Sequence, residues 1–152
     1  MEIEIRDAEP DDPAVLRLVE ALRDEVESRG AHNGVARPEI TLADAISADC
    51  DTLVAYSGSD PVATAGLKPL EPGMGEIKRM YVVPSHRGAG IAGRMLEELE
   101  RRARGRGFEA IRLDTHDRLS EATGMYSGAG YRQISDYNSN PRSNRWFEKP
   151  LA

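Results

Sequence analysis

The stretch HRGAGIAGRML, His86 to Leu96, constrains this chain more than any other. Gly88, Gly90 and Gly93 stand in the spacing G-x-G-x-x-G, an apolar run ending at Pro84 precedes them, and Ile91, Met95, Leu96, Leu99 and Ala103 follow at period 3.6. A strand over 76–83 must therefore turn into a helix, read as Arg87 to Arg104, with small residues at the corner. Amides of a helix's first turn point outward and the helix dipole is positive there, so such a corner can receive an anion. Arg87 beside the glycines favours a phosphate or pyrophosphate over a corner that serves packing alone.

At face value the spacing is a dinucleotide fingerprint, and Asp114, about 20 residues past Gly93, stands where a ribose-binding acid would be. Three features oppose it. Pro84, Ser85, His86 and Arg87 separate the strand from the first glycine, where a Rossmann turn is nearly immediate. Two helices and three strands come before this unit rather than after it. The residues beyond Asp114 are too few for a second mononucleotide half.

The rest of the pattern fixes the class. EIEIRD (2–7) alternates as a first strand, and Asp11, Asp12 and Pro13 start a helix that ends near Ser28–Gly30. Thr41 reads as the cap of a short helix through Ala48. TLVAYS (52–57) and PVATAGL (61–67) form a hairpin about Gly58-Ser59-Asp60, and KPLEPGMG reads as a loop. EAIRLDT (109–115) is a strand, Ser120 to Ala129 a helix, and YRQI and RWFEKPL supply the last strands. The order β-α-α-β-β-β-α-β-α-β-β implies a single domain over 1–152, a mixed α+β sheet with helices on both faces.

Bulk properties exclude some classes. The net charge of −6 argues against nucleic acid or an anionic membrane as the main partner. A single cysteine, Cys50, allows no internal disulfide, and the acidic opening MEIEIRDAEPDD lacks an apolar run, so a cytoplasmic protein is expected. His32, His86 and His116 have no ligand spacing, so no metal is expected.

Arg87-Gly88-Ala89-Gly90-Ile91-Ala92 resembles the acyl-CoA pyrophosphate loop of the GNAT superfamily of N-acetyltransferases, [QR]-x-x-G-x-[GA]. Tyr126-Ser127-Gly128-Ala129-Gly130-Tyr131 resembles that family's Y-x-x-x-G-[FY], at the typical interval. The resemblance covers residues 75–133 or so. It implies a mostly antiparallel sheet of six to seven strands (α/β/α), splayed between the strands at 76–83 and 109–115, with acetyl-CoA as cosubstrate. The pantetheine arm would lie in the gap against backbone of Met80, Tyr81 and Val82, which also offers an oxyanion donor. The pyrophosphate would rest on amides of Arg87, Gly88, Ala89, Gly90, Ile91 and Ala92.

Acetyl transfer to an amine needs a deprotonated nucleophile, a stabilised oxyanion and a protonated leaving thiolate. By the resemblance Glu76 matches a general base, often acting through water, and Tyr126 the general acid near the sulfur. The bland alternatives are an exposed strand-edge carboxylate and a core tyrosine. Where many members carry Asn seven residues before the tyrosine, this chain has Leu119; Ser120 is the candidate replacement. The family's acceptor pocket is shaped by the first helix–loop–helix and the C-terminal hairpin, which makes Glu25, His32, Asn33 and Tyr137 the acceptor-side candidates. The expected reaction is direct acetyl transfer to a primary amine of a small molecule, a cationic one suiting the acidic surface. Dimers are common in the family, although no surface is singled out here. A non-catalytic acyl-CoA-binding sensor is the alternative.

Overall fold

The computed structural model describes residues 2–37 and 49–151; the helix read from Thr41 to Ala48 lies outside them. The elements are β1 (Ile3–Ala8), α1 (Pro13–Ser28), β2 (Asp51–Ser57), β3 (Asp60–Glu71), β4 (Met74–Val82), α2 (Ile91–Gly105), β5 (Ala110–Thr115), α3 (Ser120–Gly128), β6 (Arg132–Ile134) and β7 (Arg145–Pro150). They form a seven-stranded sheet in the order β1-β2-β3-β4-β5-β7-β6, and every neighbouring pair is antiparallel except β4–β5.

Local chemistry explains the boundaries. Asp12 caps α1, accepting the Ala14 amide at 2.8 Å, with Pro13 following as the first helical residue. Two corrections apply to the sequence reading. KPLEPGMG is not a loop: β3 runs to Glu71 and β4 restarts at Met74, with Gly73 at φ 78 completing a tight hairpin. The chain from Arg87 is not yet helical. Pro84–His86 forms one 3-10 turn, Gly88 and Gly90 adopt left-handed φ near 80, and α2 begins only at Ile91.

Strand alternation divides the sheet between its helices. Leu53, Ala55, Ile77, Ile111 and Leu113 face Ile91, Met95, Leu96 and Leu99 of α2, while Val54 and Tyr81 meet Val15, Leu18 and Val19 of α1. Leu99 and Met95 are fully buried, and truncating either to Ala would destabilise by about 2–5 kcal/mol. The buried Glu100 carboxylate ties α2 to the C-terminal strands, accepting Tyr131 Oη at 2.9 Å and Lys149 Nζ at 2.8 Å.

Two irregularities in β4 place the site. Thr64 pairs with Tyr81 but Gly66 pairs with Lys78, so β4 holds one extra residue, and Arg79 there takes φ 58. The bulge reverses the alternation: Glu76 and Lys78 share a face with Tyr81 rather than with Met80 and Val82. On the other edge, β4 pairs with β5 only through Met74, Gly75 and Glu76. Beyond Glu76 the two strands separate, although β4 continues to Val82 and β5 to Thr115.

Candidate functional site

The separation opens a cleft in two lobes that share Leu22, Met80, Leu119 and Ala122. The first, of about 430 Å³, is walled by β4 from Met80 to Val82, by the turn and start of α2, and by Met125 of α3. The amides of Gly88, Ala89 and Gly90 bond no other backbone or side-chain group among the described residues. Those of Ile91, Ala92 and Gly93 occupy the helix's first turn, where no intrahelical partner exists, and no side chain caps it. A Cβ on Gly88 or Gly90 would meet no protein atom within 4 Å, so the space above these amides is open. A strand-shaped slot thus ends at six outward amides and a positive helix end, which fits an amide-bearing arm tipped with pyrophosphate.

Arg87 lines this lobe, but its guanidinium is committed. Nη2 donates to both Glu25 carboxylate oxygens at 2.8 and 2.9 Å, and Nε to the Val82 carbonyl at 3.0 Å. Glu25, expected beside the acceptor, therefore stands on the other lobe, drawn there by Arg87 and, at 3.8 Å, by Arg29. Arg29 continues to Glu121 of α3 at 2.8 Å, and holds that carboxyl at about 2. His86 lines this lobe and meets Ser85 Oγ at 2.8 Å. Leu119 takes the wall position while Ser120 lines neither lobe, because the chain enters α3 with Leu119 turned inward.

The second lobe, of about 360 Å³, lies between the far ends of β4 and β5 and is floored by residues 140–143. Tyr126 lines it, 4% exposed, with its ring edge-on to Tyr131 at 5.8 Å. Its hydroxyl has no hydrogen-bond partner among the described residues. Burial first, and then the nearby Asp114 charge, push this phenol above its ordinary value of 10.

Asp114 organises the lobe. Oδ1 accepts Asn140 at 3.0 Å and Ser143 Oγ at 2.7 Å; Oδ2 accepts Asn138 and, at 3.3 Å, Lys78. Burial alone would raise its carboxyl, but the Lys78 charge and the donated hydrogen bonds outweigh that and hold it below the usual range. His116, only 5% exposed, accepts the Arg118 amide on Nδ1 at 3.1 Å, so Nε2 carries the proton that Asn33 Oδ1 receives at 2.8 Å. Burial lowers this imidazole below 6.5 and keeps it neutral. The Asn33 amide also donates to the carbonyls of Pro141 and Ser143 at 3.1 and 2.9 Å, which makes it a brace for that loop. His32 bonds the Gly34 amide at 3.1 Å and lines neither lobe.

Glu76 is 2% exposed and also lines neither lobe. It accepts Tyr137 Oη at 2.6 Å and lies 3.5 and 3.4 Å from the ammonium groups of Lys68 and Lys78. Burial, and then the bond to Glu76, push the Tyr137 phenol strongly upward. Sequence reasoning missed Lys78, Asp114 as an organiser, Asn140 and Arg142. Their spacing carries no signature, since they meet only where Lys78 of β4 faces Asp114 of β5 and the loop between β6 and β7 comes back beside them. No group of side chains suited to a metal ion occurs among the described residues.

Residues 16–131 match the model of the Acetyltransferase (GNAT) family. The chain is 37% identical over 84 residues to the IAA acetyltransferase of Azospirillum brasilense, an alignment covering 53% of this chain and 54% of that protein. It thus spans about half the length of that curated relative. Among solved structures, an acetyltransferase of the GNAT family from Staphylococcus aureus superposes with TM-score 0.81 at 19% identity, covering 99% of this chain and all of the other. The PaiA N-acetyltransferase of Thermoplasma acidophilum, solved in complex with coenzyme A, superposes with TM-score 0.72 at 21% identity, covering 99% of each chain. At these identities the likeness shows the fold.

Proposed function

The chain belongs to the GNAT acetyltransferase family, and we propose that it transfers acetyl from acetyl-CoA to a primary amine of a small acceptor by direct attack. The observation that carries this reading is the opening of the sheet beyond Glu76 onto the unbonded amides at 88–93. Acetyl-CoA, the usual cosubstrate of this family, supplies the acyl group as a thioester; the Thermoplasma neighbour solved in complex with coenzyme A shares the fold.

Backbone of residues 80–82, unpaired with β5 although Arg87 Nε already takes the Val82 carbonyl, would align the arm as an added strand and offer an N–H to the developing oxyanion. The amine nitrogen attacks the carbonyl carbon, the C–S bond breaks, and Tyr126 Oη gives its proton to the departing sulfur. The raised phenol is fully protonated at rest, which supplies the donor form at the expense of acid strength. The surplus proton of the amine leaves through water toward Glu76, because an enclosed carboxylate that lines neither lobe has no direct contact to offer. That enclosure is the one observation favouring a non-catalytic acyl-CoA-binding module; the unpartnered Tyr126 hydroxyl in the cleft weighs against it.

Two measurements test the proposal. Acetyl-CoA should raise the melting temperature, since a ligand of the native state alone adds stability. A thiol-release assay over an amine panel should show turnover. Protection without turnover of any amine would favour the binding module, and no protection would end both readings.

A further inference from the structure

Counted over the described residues that line it, the second lobe has a charge sign opposite to that of the whole chain. Among the described residues its lining holds three cations, Lys78, Arg79 and Arg142, against one carboxylate, Asp114, while the protein's net charge is −6. The carboxylates in and behind the wall are occupied. Asp114 already receives Asn138, Asn140, Ser143 and Lys78, and Glu76 receives Tyr137 between two lysines. Among the described residues an incoming ammonium group would find no open carboxylate in this lobe and would have to displace a built-in donor.

Two of these cations, Arg142 and Lys78, are less committed. Arg142 donates to the Val35 carbonyl at 3.3 Å and to Glu27 at 2.5 Å, leaving three of a guanidinium's five N–H groups without a partner among the described residues. Lys78 meets its two carboxylates only at 3.3 and 3.4 Å, long for charge-assisted bonds. Apolar walls from Leu22, Val26, Ile77, Leu113 and Leu119 complete the lobe.

Resting on the acyl-transfer reading, we infer that the acceptor is a primary amine bearing a carboxylate and an apolar body, an amino-acid-like molecule whose carboxylate is held by Arg142 and Lys78. The arrangement serves the chemistry twice. The planar guanidinium suits a carboxylate, and nearby positive charge disfavours the ammonium form of the acceptor, leaving the neutral amine that attack requires. This reverses the sign expected from the acidic surface.

The test uses matched pairs in the thiol-release assay: leucine against 3-methylbutylamine, phenylalanine against phenethylamine, and spermidine as a polycation. The carboxylated member of each pair should show a kcat/KM at least about tenfold higher. Arg142→Gln should raise KM for the amino acid and erase the discrimination while leaving KM for acetyl-CoA unchanged. Arg142→Lys, which keeps the charge without the fork, should fall between; each variant's folding is checked by its thermal protection with acetyl-CoA. Equal rates within pairs, preference for the decarboxylated amines or spermidine, or no turnover of any carboxylated member overturns the inference. Undiminished discrimination in Arg142→Gln overturns the assignment to that residue. Loss of thermal protection in the parent protein fails the acyl-transfer reading instead.

Discussion

The two lobes of the cleft are built by different means. In the first, the unbonded polar groups at the start of α2 are backbone amides beside glycines, and Arg87, the one guanidinium on the wall among the described residues, is spent holding α1 to the end of β4. In the second, side chains from β4, β5 and the loop before β7 bond one another around Asp114. A backbone site needs only the right conformation and an absence of side chains, so it suits a constant ligand. A side-chain site can change its chemistry residue by residue without disturbing the fold, so it suits the variable partner.

The sharpest way to break this contrast is at Tyr126, where the lobes meet chemically. Tyr126→Phe is expected to lower kcat by about 10²–10⁴-fold in thiol release while thermal protection by acetyl-CoA persists. Because the phenol lies above 10, its acid form persists as pH rises, and Tyr126 should impose no alkaline fall in kcat up to that pH. An unchanged rate in the variant would remove Tyr126 from the mechanism.

Asp114→Ala should disable the second lobe alone. It strips the shared acceptor from four donors, one of them charged, and should lower stability by about 3 kcal/mol in urea unfolding. It should also raise KM for the amine more than KM for acetyl-CoA. Equal changes in both would mean that the lobes are not separable.

The first lobe is best probed with two glycines. Gly90→Ala forces a side chain into φ 80 and should lose about 1–2 kcal/mol. Gly93→Ala sits within the helix, where Ala is favoured by about 1 kcal/mol. Neither added methyl meets a protein atom within 4 Å, so both should weaken acetyl-CoA binding while moving stability in opposite directions. Binding unaffected by both would place the pyrophosphate elsewhere.

The smallest effect concerns His116. Its folded pKa lies below 6.5, so the unfolded chain binds the extra proton first. Stability is then complete above 6.5 and declines as pH falls through that value toward the folded pKa. Melting curves between pH 7.5 and 5 should show this slope, and His116→Gln should flatten it.

The same contrast governs what the sequence revealed. Gly88, Gly90 and the period-3.6 stripe after them are local signals, so the turn and the helix are legible, as is the splayed sheet once the family pattern is met. The bulge at Arg79 leaves no mark in a single sequence, yet it decides that Glu76 and Lys78 share the face of Tyr81. Glu76 reads as a strand residue either way; its enclosure depends on Lys68 across the β3–β4 ladder and on Tyr137 from a distant loop. Asn33 and Glu25 are acceptor-side candidates only through the family's use of the first helix–loop–helix. The structure gives the first to the loop before β7 and the second to Arg87.

The three rungs between β4 and β5 carry one more consequence. A strand with one unpaired side is ordinarily found at the rim of a sheet, where it invites addition by foreign chains. Here such a side lies in the middle of seven strands, sheltered by helices but not paired with the neighbouring strand. Coenzyme A would then act as a reversible eighth strand. Preparations stripped of it are expected to self-associate on storage sooner than preparations kept saturated.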